Sequence, residues 1–216
     1  MTVHRFLPAE WHPQSLVQLT WPDNSTDWKD LLHEVLPCYE AISREISLRQ
    51  PLLIVTRNRL EVIPWLKNAN LANIKIVEMP INDTWARDHG FITLFENNQP
   101  LLLDFKFNGW GLKFAADKDN LINARLFNSN IFTQDTIYRN HLNMVLEGGS
   151  IESDGEGTIL TTSECLLSPN RNGAWSRQQI ETELLNIFGA LQVLWLDHGF
   201  LEGDDTDSHI DTLARL

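Results

Sequence analysis

The sequence predicts an α/β protein assembled from repeated small units, and three observations carry that prediction. Short alternating or wholly apolar runs of strand character are separated by stretches with helical spacing of apolar residues. From residue 88 onward the order hairpin, helix, strand occurs twice. A single acidic residue, first Asp88 and then Glu147, stands directly before each hairpin. Units that cannot bury their faces alone often repeat around an axis. A radial arrangement would aim both carboxylates at one central cavity.

The elements follow in order. LVQLTW (16–21) alternates like a strand, and WPDN turns the chain. From Asp27 to about Arg49, the residues Leu31, Leu32, Val35, Tyr39, Ile42 and Ile46 recur at helical spacing, and LLIVT (52–56) reads as a buried strand. A short helix over 59–67, weakened by Pro64, precedes the strand IKIVEM (74–79). The first full unit has FITLF (91–95), a turn at ENNQP, LLLDFKF (101–107), a helix near 117–127 and a strand ending in MVLE (144–147). The second has GSIES (149–153), a turn at DGEG, TILTT (158–162), a helix beginning at Ser176 and the strand LQVLWL (191–196). Gln179 completes a capping-box pattern with Ser176. A third occurrence opens at the C-terminus, where HIDTLARL reads as the first strand of another hairpin whose partner is missing. An open edge of that kind is a liability, so the chain is expected to be shorter than its natural folding unit.

Composition narrows the function. With 216 residues, 43% hydrophobic and 21% charged, the chain can bury a core. Lys plus Arg number 17 against 29 Asp plus Glu, a net charge of −12, which argues against nucleic acid as a partner and suits a cationic ligand. Cys38 and Cys165 make no disulfide framework and no zinc spacing. The N-terminus has no signal-like apolar segment and no run of about 18 apolar residues occurs, so neither export nor membrane is expected and a cytoplasmic location is simplest. Eight tryptophans are many for this length; Trp11, Trp21 and Trp110 sit in loop-like settings, where core packing is the plainer reading and pocket lining the other.

Several stretches could carry chemistry. In an extended His209-Ile210-Asp211 the imidazole and the carboxylate share one face. INDTWARDHG (81–90) brings Asp83, Trp85, Arg87 and Asp88 before a glycine, and LEGGS (146–150) sets Glu147 before two glycines. Taken singly, each has a plainer reading: a structural ion pair for the first two, a Gly-Gly turn for the third. FNGWG (107–111) and PNRN (169–172) read as turns, PNRN most clearly. GDDTDSH lacks the glycine and glutamate that a calcium loop requires, and no metal site is expected. Together, Asp88, Glu147, His209 and Asp211 set three carboxylates and one imidazole around an axis. Such carboxylates repel unless a cation lies among them, and a planar guanidinium is a natural guest.

The ordered segments FLPAEWHP, LTWPDN, INDTWARDHG, FNGWG, LEGGSIESDGEGTILTTSECLLSPNRN and GDDTDSHIDTLAR resemble the agmatine deiminase and bacterial (Porphyromonas-type) peptidyl-arginine deiminase family over essentially all 216 residues, as the N-terminal part of such a chain. The resemblance implies the pentein fold, a five-module α/β propeller, with about three modules in a single truncated catalytic domain spanning 1–216. It implies that Asp88 and Asp211 hold the guanidinium, that Glu147 orients the imidazole and contacts substrate, and that His209 is the general acid/base. Trp85 resembles a tryptophan walling the substrate site, and Asp205 lies where relatives contact the distal part of the substrate.

The family reaction is nucleophilic. A cysteine thiolate attacks the guanidinium carbon, His209 protonates the departing ammonia, and water then releases a ureido product from a thiouronium intermediate without metal or organic cofactor. The family nucleophile lies beyond residue 216; Cys165 matches a non-nucleophilic position and Cys38 sits at a core-like position on the first helix. The expected parent activity is conversion of agmatine to N-carbamoylputrescine and ammonia in putrescine synthesis, with the 216-residue chain itself inactive. Peptidyl-arginine deimination and a non-catalytic guanidinium-binding protein are the alternatives. The expected partner is a small cationic guanidino compound, with no nucleic acid and no membrane; whether two copies pair is left open.

Overall fold

The computed structural model describes residues 4–216, which fall into two compact units. After the short strand β1 (Arg5–Phe6), the chain enters the smaller unit, built from residues 13–86 and 117–122. It runs β2 (Val17–Thr20), α1 (Leu32–Ser47), β3 (Leu52–Thr56), α2 (Arg59–Val62) and β4 (Ile74–Glu78). The three strands are parallel in the order β2-β3-β4, with β3 in the middle. A central parallel strand is covered on both faces, which is why LLIVT is uniformly apolar and every one of its residues is buried. Trp21, Leu52, Ile54, Val62 and Leu66 form this core, against which Tyr39 and Ile46 of α1 pack. The expected helix over 59–67 divides at Pro64: α2 ends at Val62 and a tighter 3-10 turn covers Ile63–Trp65. Cys38 departs from its expected core-like position and is exposed on α1. Its place on the helix belongs to the solvent side of the apolar stripe.

Within this same unit the INDTW segment is held by Asp119. Its buried carboxylate accepts from the backbone N–H of Asn82 at 2.6 Å and of Asp83 at 3.0 Å, while Asn82 Oδ1 accepts from the N–H of Lys118 and Asp119. Burial, opposed by those two N–H donors, pushes the Asp119 carboxyl up to about 6.

The larger unit resumes at Arg87, within α3 (Ala86–His89). It contains β5 (Ile92–Glu96), β6 (Gln99–Lys106), the short turn α4 (Gly109–Leu112), the body of α5 (Ile122–Asn128) and β7 (Ile137–Val145). There follow β8 (Ile151–Ser153), β9 (Thr158–Thr162), α6 (Ser163–Leu166), α7 (Pro169–Asn172), α8 (Arg177–Phe188) and β10 (Gln192–Leu196). β5 and β6 form an antiparallel hairpin with Asn97 and Asn98 both at positive φ, the geometry a two-residue hairpin turn requires. β7 then returns parallel to β6. β8 and β9 repeat the hairpin, and β10 returns parallel to β9. The repeated hairpin–helix–strand order is therefore present twice, as the sequence indicates. The capping box of Ser176 and Gln179 starts α8, and Gly189 at φ +68 ends it. Leu94, Leu101, Leu103, Leu146, Ile159, Leu166, Leu184 and Phe188 fill the core of this unit.

The C-terminal segment differs from expectation. HIDTLARL is no strand: Ile210–Thr212 is a 3-10 turn, reached through Asp207 and Ser208 at positive φ. Local side chains outcompete strand pairing here. Asp204 accepts from the N–H and hydroxyl of Thr206 and from the N–H of Ser208, and Thr206 Oγ1 accepts from the His209 N–H. The alternation that would have set His209 and Asp211 on one face is absent, and a different device brings them together.

A candidate guanidinium site

That device is a glycine. The strand β7 ends two residues before Glu147, and LEGGS then forms a tight turn over Gly148–Ser150. A Cβ built on Gly149 would lie 2.6 Å from His209 Nδ1, 2.7 Å from Asp211 Oδ2 and 2.8 Å from Asp88 Oδ1. Three titratable side chains thus close over one backbone position that only hydrogen can occupy. Gly148 is equally committed, since its Cβ would meet the Arg87 carbonyl oxygen at 2.1 Å.

Asp88 is fixed at both oxygens. Oδ1 accepts from the Gly149 N–H at 3.1 Å and Oδ2 from Trp110 Nε1 at 3.1 Å. His209 Nδ1 lies 3.6 Å from Asp88 Oδ1, and its buried Nε2 has no hydrogen-bond partner among the described residues. Burial, then the charge of Glu147, push the Asp88 carboxyl up to about 7, against the pull of its two donors. Burial, with the nearby Arg171 cation, pushes the His209 imidazole down to about 3. Burial also raises the half-buried Asp211, while Arg87 and Arg215 oppose it. The ligand-free site holds a neutral imidazole beside a carboxyl poised to ionise near neutrality, an arrangement suited to receiving a cation.

Glu147 is wholly buried and faces Arg171, whose Nε donates to both of its carboxylate oxygens, at 2.9 and 3.1 Å. Burial raises the Glu147 carboxyl and Arg171 limits the rise. No hydrogen bond joins Glu147 to His209 among the described residues. An oxygen of Glu147, Cys165 Sγ and a His209 nitrogen do lie within 4.8 Å of one another, the one such trio among the described residues that could hold a metal ion. A cation there would face the buried Arg171 guanidinium already seated on Glu147. Burial raises the Cys165 thiol well above its ordinary value, which keeps it protonated.

The six residues singled out from the sequence divide as follows. Asp88, Glu147, His209 and Asp211 all lie in the larger unit, and Asp88, His209 and Asp211 meet at Gly149. Asp205 is exposed, and its backbone carbonyl accepts from Lys113 Nζ at 2.9 Å. Trp85 belongs to the smaller unit, where its ring lies 5.9 Å from Trp28.

Two residues of the site are not singled out by the sequence: pocket lining is only the second reading for Trp110, and Arg171 has none. FNGWG is more than a turn: Gly109, Trp110, Gly111 and Leu112 all have positive φ, and Asn108 Oδ1 caps the Gly111 N–H, which swings the Trp110 indole onto Asp88. PNRN is a short helix rather than a simple turn, with Arg171 and Asn172 buried. Asn172 bonds the N–H and carbonyl of Val145, fixing the strand end that leads to Glu147. A cation flanked by two asparagines in an acid-rich chain was the available signal.

Comparison with known proteins adds the family. The sequence profile of the Porphyromonas-type peptidyl-arginine deiminase family matches residues 6–216. An agmatine deiminase of Stutzerimonas stutzeri is 34% identical over 97% of this chain, and one of Medicago truncatula 34% over 99%. The chain spans 57% and 59% of the lengths of those two relatives. A Porphyromonas gingivalis structure, provisionally named an arginine deiminase, superposes with a TM-score of 0.92 at 48% identity, over 99% of this chain and 63% of its own. A cysteine-to-serine form of a C. jejuni agmatine deiminase with substrate bound gives 0.92 at 38%, over 99% of this chain and 62% of its own.

Proposed function

We propose, given that this chain belongs to the Porphyromonas-type peptidyl-arginine deiminase family, that it binds the guanidinium of agmatine at Gly149, between Asp88 and Asp211 and beside His209. The single observation that carries this reading is the closure of those three side chains over Gly149. Two carboxylates at one point repel in the ligand-free protein, and a planar cation with several N–H donors relieves the repulsion. The relatives named as agmatine deiminases support agmatine over arginine. Full-length enzymes of this kind would be hydrolases of the amidine C–N bond.

In this reading His209 is the acid/base. It is neutral at the start, so it first takes the proton of the attacking thiol and passes it to the departing ammonia. It then takes a proton from the attacking water, and Asp88 at 3.6 Å stabilises the imidazolium formed each time. Glu147 supplies a further negative charge and Asp205 a contact to the distal amine. The chain contributes to a pentein domain of five modules, serving putrescine synthesis. The reaction needs a thiolate attack to form the thiouronium intermediate, and neither cysteine of residues 1–216 is assigned to it. Cys165 is buried with its thiol held protonated, and Cys38 is exposed on α1. We therefore expect these 216 residues to bind agmatine without releasing ammonia.

Calorimetry with agmatine, arginine and a peptidyl-arginine, beside an ammonia assay, tests the reading. Agmatine binding that Asp88→Asn and Asp211→Asn each abolish is expected. Preference for peptidyl-arginine would favour protein deimination, ammonia release would overturn the assignment of the two cysteines, and no binding of any of the three would refute the reading.

A further inference from the structure

The protein holds a guanidinium of its own beside the proposed site. Arg171 has no exposed side-chain surface. Its Nε donates to both Glu147 oxygens; Nη1 donates to Asp207 Oδ2 at 3.2 Å and to the Cys165 carbonyl at 3.4 Å; Nη2 donates to the Thr206 carbonyl at 2.7 Å. The planar fork of an arginine, with five N–H donors in fixed directions, can satisfy several acceptors at once. Here it joins two segments far apart in sequence: the LEGGS turn that begins at Glu147 and the 204–208 loop that delivers His209.

That loop has few other anchors. Thr162 Oγ1 donates to the Ser208 carbonyl, Ser208 Oγ to Glu164, and Lys113 Nζ, from the exposed side, to Asp207 and to the Asp205 carbonyl. None of these reaches Glu147. Arg171 alone among the described residues touches Glu147 and the 206–207 backbone and side chain together.

We infer that Arg171 is a positioning residue: its guanidinium orients Glu147 as a buried carboxylate and ties down the 204–208 loop, so that His209 meets Asp88 and Asp211 over Gly149. The functional consequence rests on the guanidinium-binding reading above; the geometric role does not. A buried pair of this kind is costly to break from one side, because the remaining charge is left uncompensated, whereas neutralising both partners together is far better tolerated. A lysine would keep the charge but lacks the fork that reaches Glu147, Asp207 and two carbonyls at once.

The test uses the 216-residue protein as wild type, Arg171→Lys, Arg171→Met and the double variant Arg171→Met/Glu147→Gln. The ligand-free readouts are the carboxyl carbon titration of Glu147 and amide exchange at Thr206 to His209; the ligand readout is agmatine affinity by calorimetry. In both single variants the Glu147 midpoint is expected to move upward. Amide exchange over 206–209 is expected to accelerate about tenfold or more in all three variants, with agmatine affinity falling by a similar factor. The double variant is expected to melt close to wild type yet keep the fast exchange and weak binding, which separates positioning from bulk stability. An unmoved Glu147 midpoint, or loop exchange within about twofold of wild type, overturns the inference. So does a loss of folding shared by Arg171→Lys and the double variant, which would mark Arg171 as plain scaffold. If wild type fails to bind agmatine, the functional reading falls while the ligand-free readouts still decide the role of Arg171.

Discussion

Agmatine affinity is expected to rise about tenfold between pH 6 and pH 8, because the cation must meet Asp88 as a carboxylate. Burial, followed by the charge of Glu147, places the Asp88 carboxyl at about 7 in the ligand-free protein. At that value roughly one molecule in eleven has Asp88 ionised at pH 6, and roughly ten in eleven at pH 8. A bound guanidinium between Asp88 and Asp211 favours the ionised form throughout, so the ratio of about 10 passes into the affinity, a difference of about 1.4 kcal/mol. The His209 imidazole, pushed by burial to about 3, is neutral over the whole interval and adds no slope. The proton count provides an independent check. Binding releases roughly 0.9 proton at pH 6 and roughly 0.1 at pH 8, seen by calorimetry in two buffers of different ionisation enthalpy. An affinity that is flat from pH 6 to pH 8, or net proton uptake at pH 6, would refute the reasoning.

Other perturbations have equally definite outcomes. Gly149→Ala drives a methyl group against His209, Asp211 and Asp88 at 2.6 to 2.8 Å, so agmatine binding is lost and the melt records about 1 to 3 kcal/mol of destabilisation. Trp110→Phe removes the donor to Asp88 Oδ2, and the pH at which agmatine binding is half-maximal moves upward in the same calorimetric series. Ser176→Ala breaks the capping box of α8 and lowers stability by about 1 kcal/mol in denaturant unfolding, while agmatine affinity stays within about twofold. The stability of the ligand-free protein carries its own sign. Asp88 is raised from 3.8 to about 7, so its contribution is full below pH 3.8 and is lost as pH rises through 7. The Asp88→Asn variant should accordingly flatten the fall in melting temperature between pH 5 and pH 8. A steeper fall in the variant would contradict the assignment.

The architecture was legible where periodicity and turn chemistry agreed. LLIVT, TILTT, the Ser176 helix start and the twofold recurrence of hairpin, helix and strand all follow from patterns of apolar residues and caps that tertiary contacts reinforce. The convergence of Asp88, His209 and Asp211 was suggested by their setting, beside glycines or in an acidic cluster, and the three side chains do meet at Gly149. What failed was the path of the backbone between them. An H-x-D alternation suggests a strand, but Asp204, Thr206 and Thr212 bond the neighbouring main chain and wind it into a turn. Arg171 stayed hidden, and Trp110 had pocket lining only as its second reading, for a related reason. Their short Gly/Asn/Pro segments read as surface turns, and only the three-dimensional meeting of PNRN with LEGGS, and of FNGWG with WARD, reveals that these turns carry buried side chains.

The indole of Trp110 has one more consequence. Its ring N–H points at the carboxylate that gains or loses a proton near neutrality and would neutralise an arriving cation. Indole emission shifts with the local electric field, so this side chain is an intrinsic optical probe wired to the ionisation state of Asp88. The seven other tryptophans supply a background, which the Trp110→Phe protein subtracts directly. The difference spectrum then follows the charge on one buried oxygen without any label.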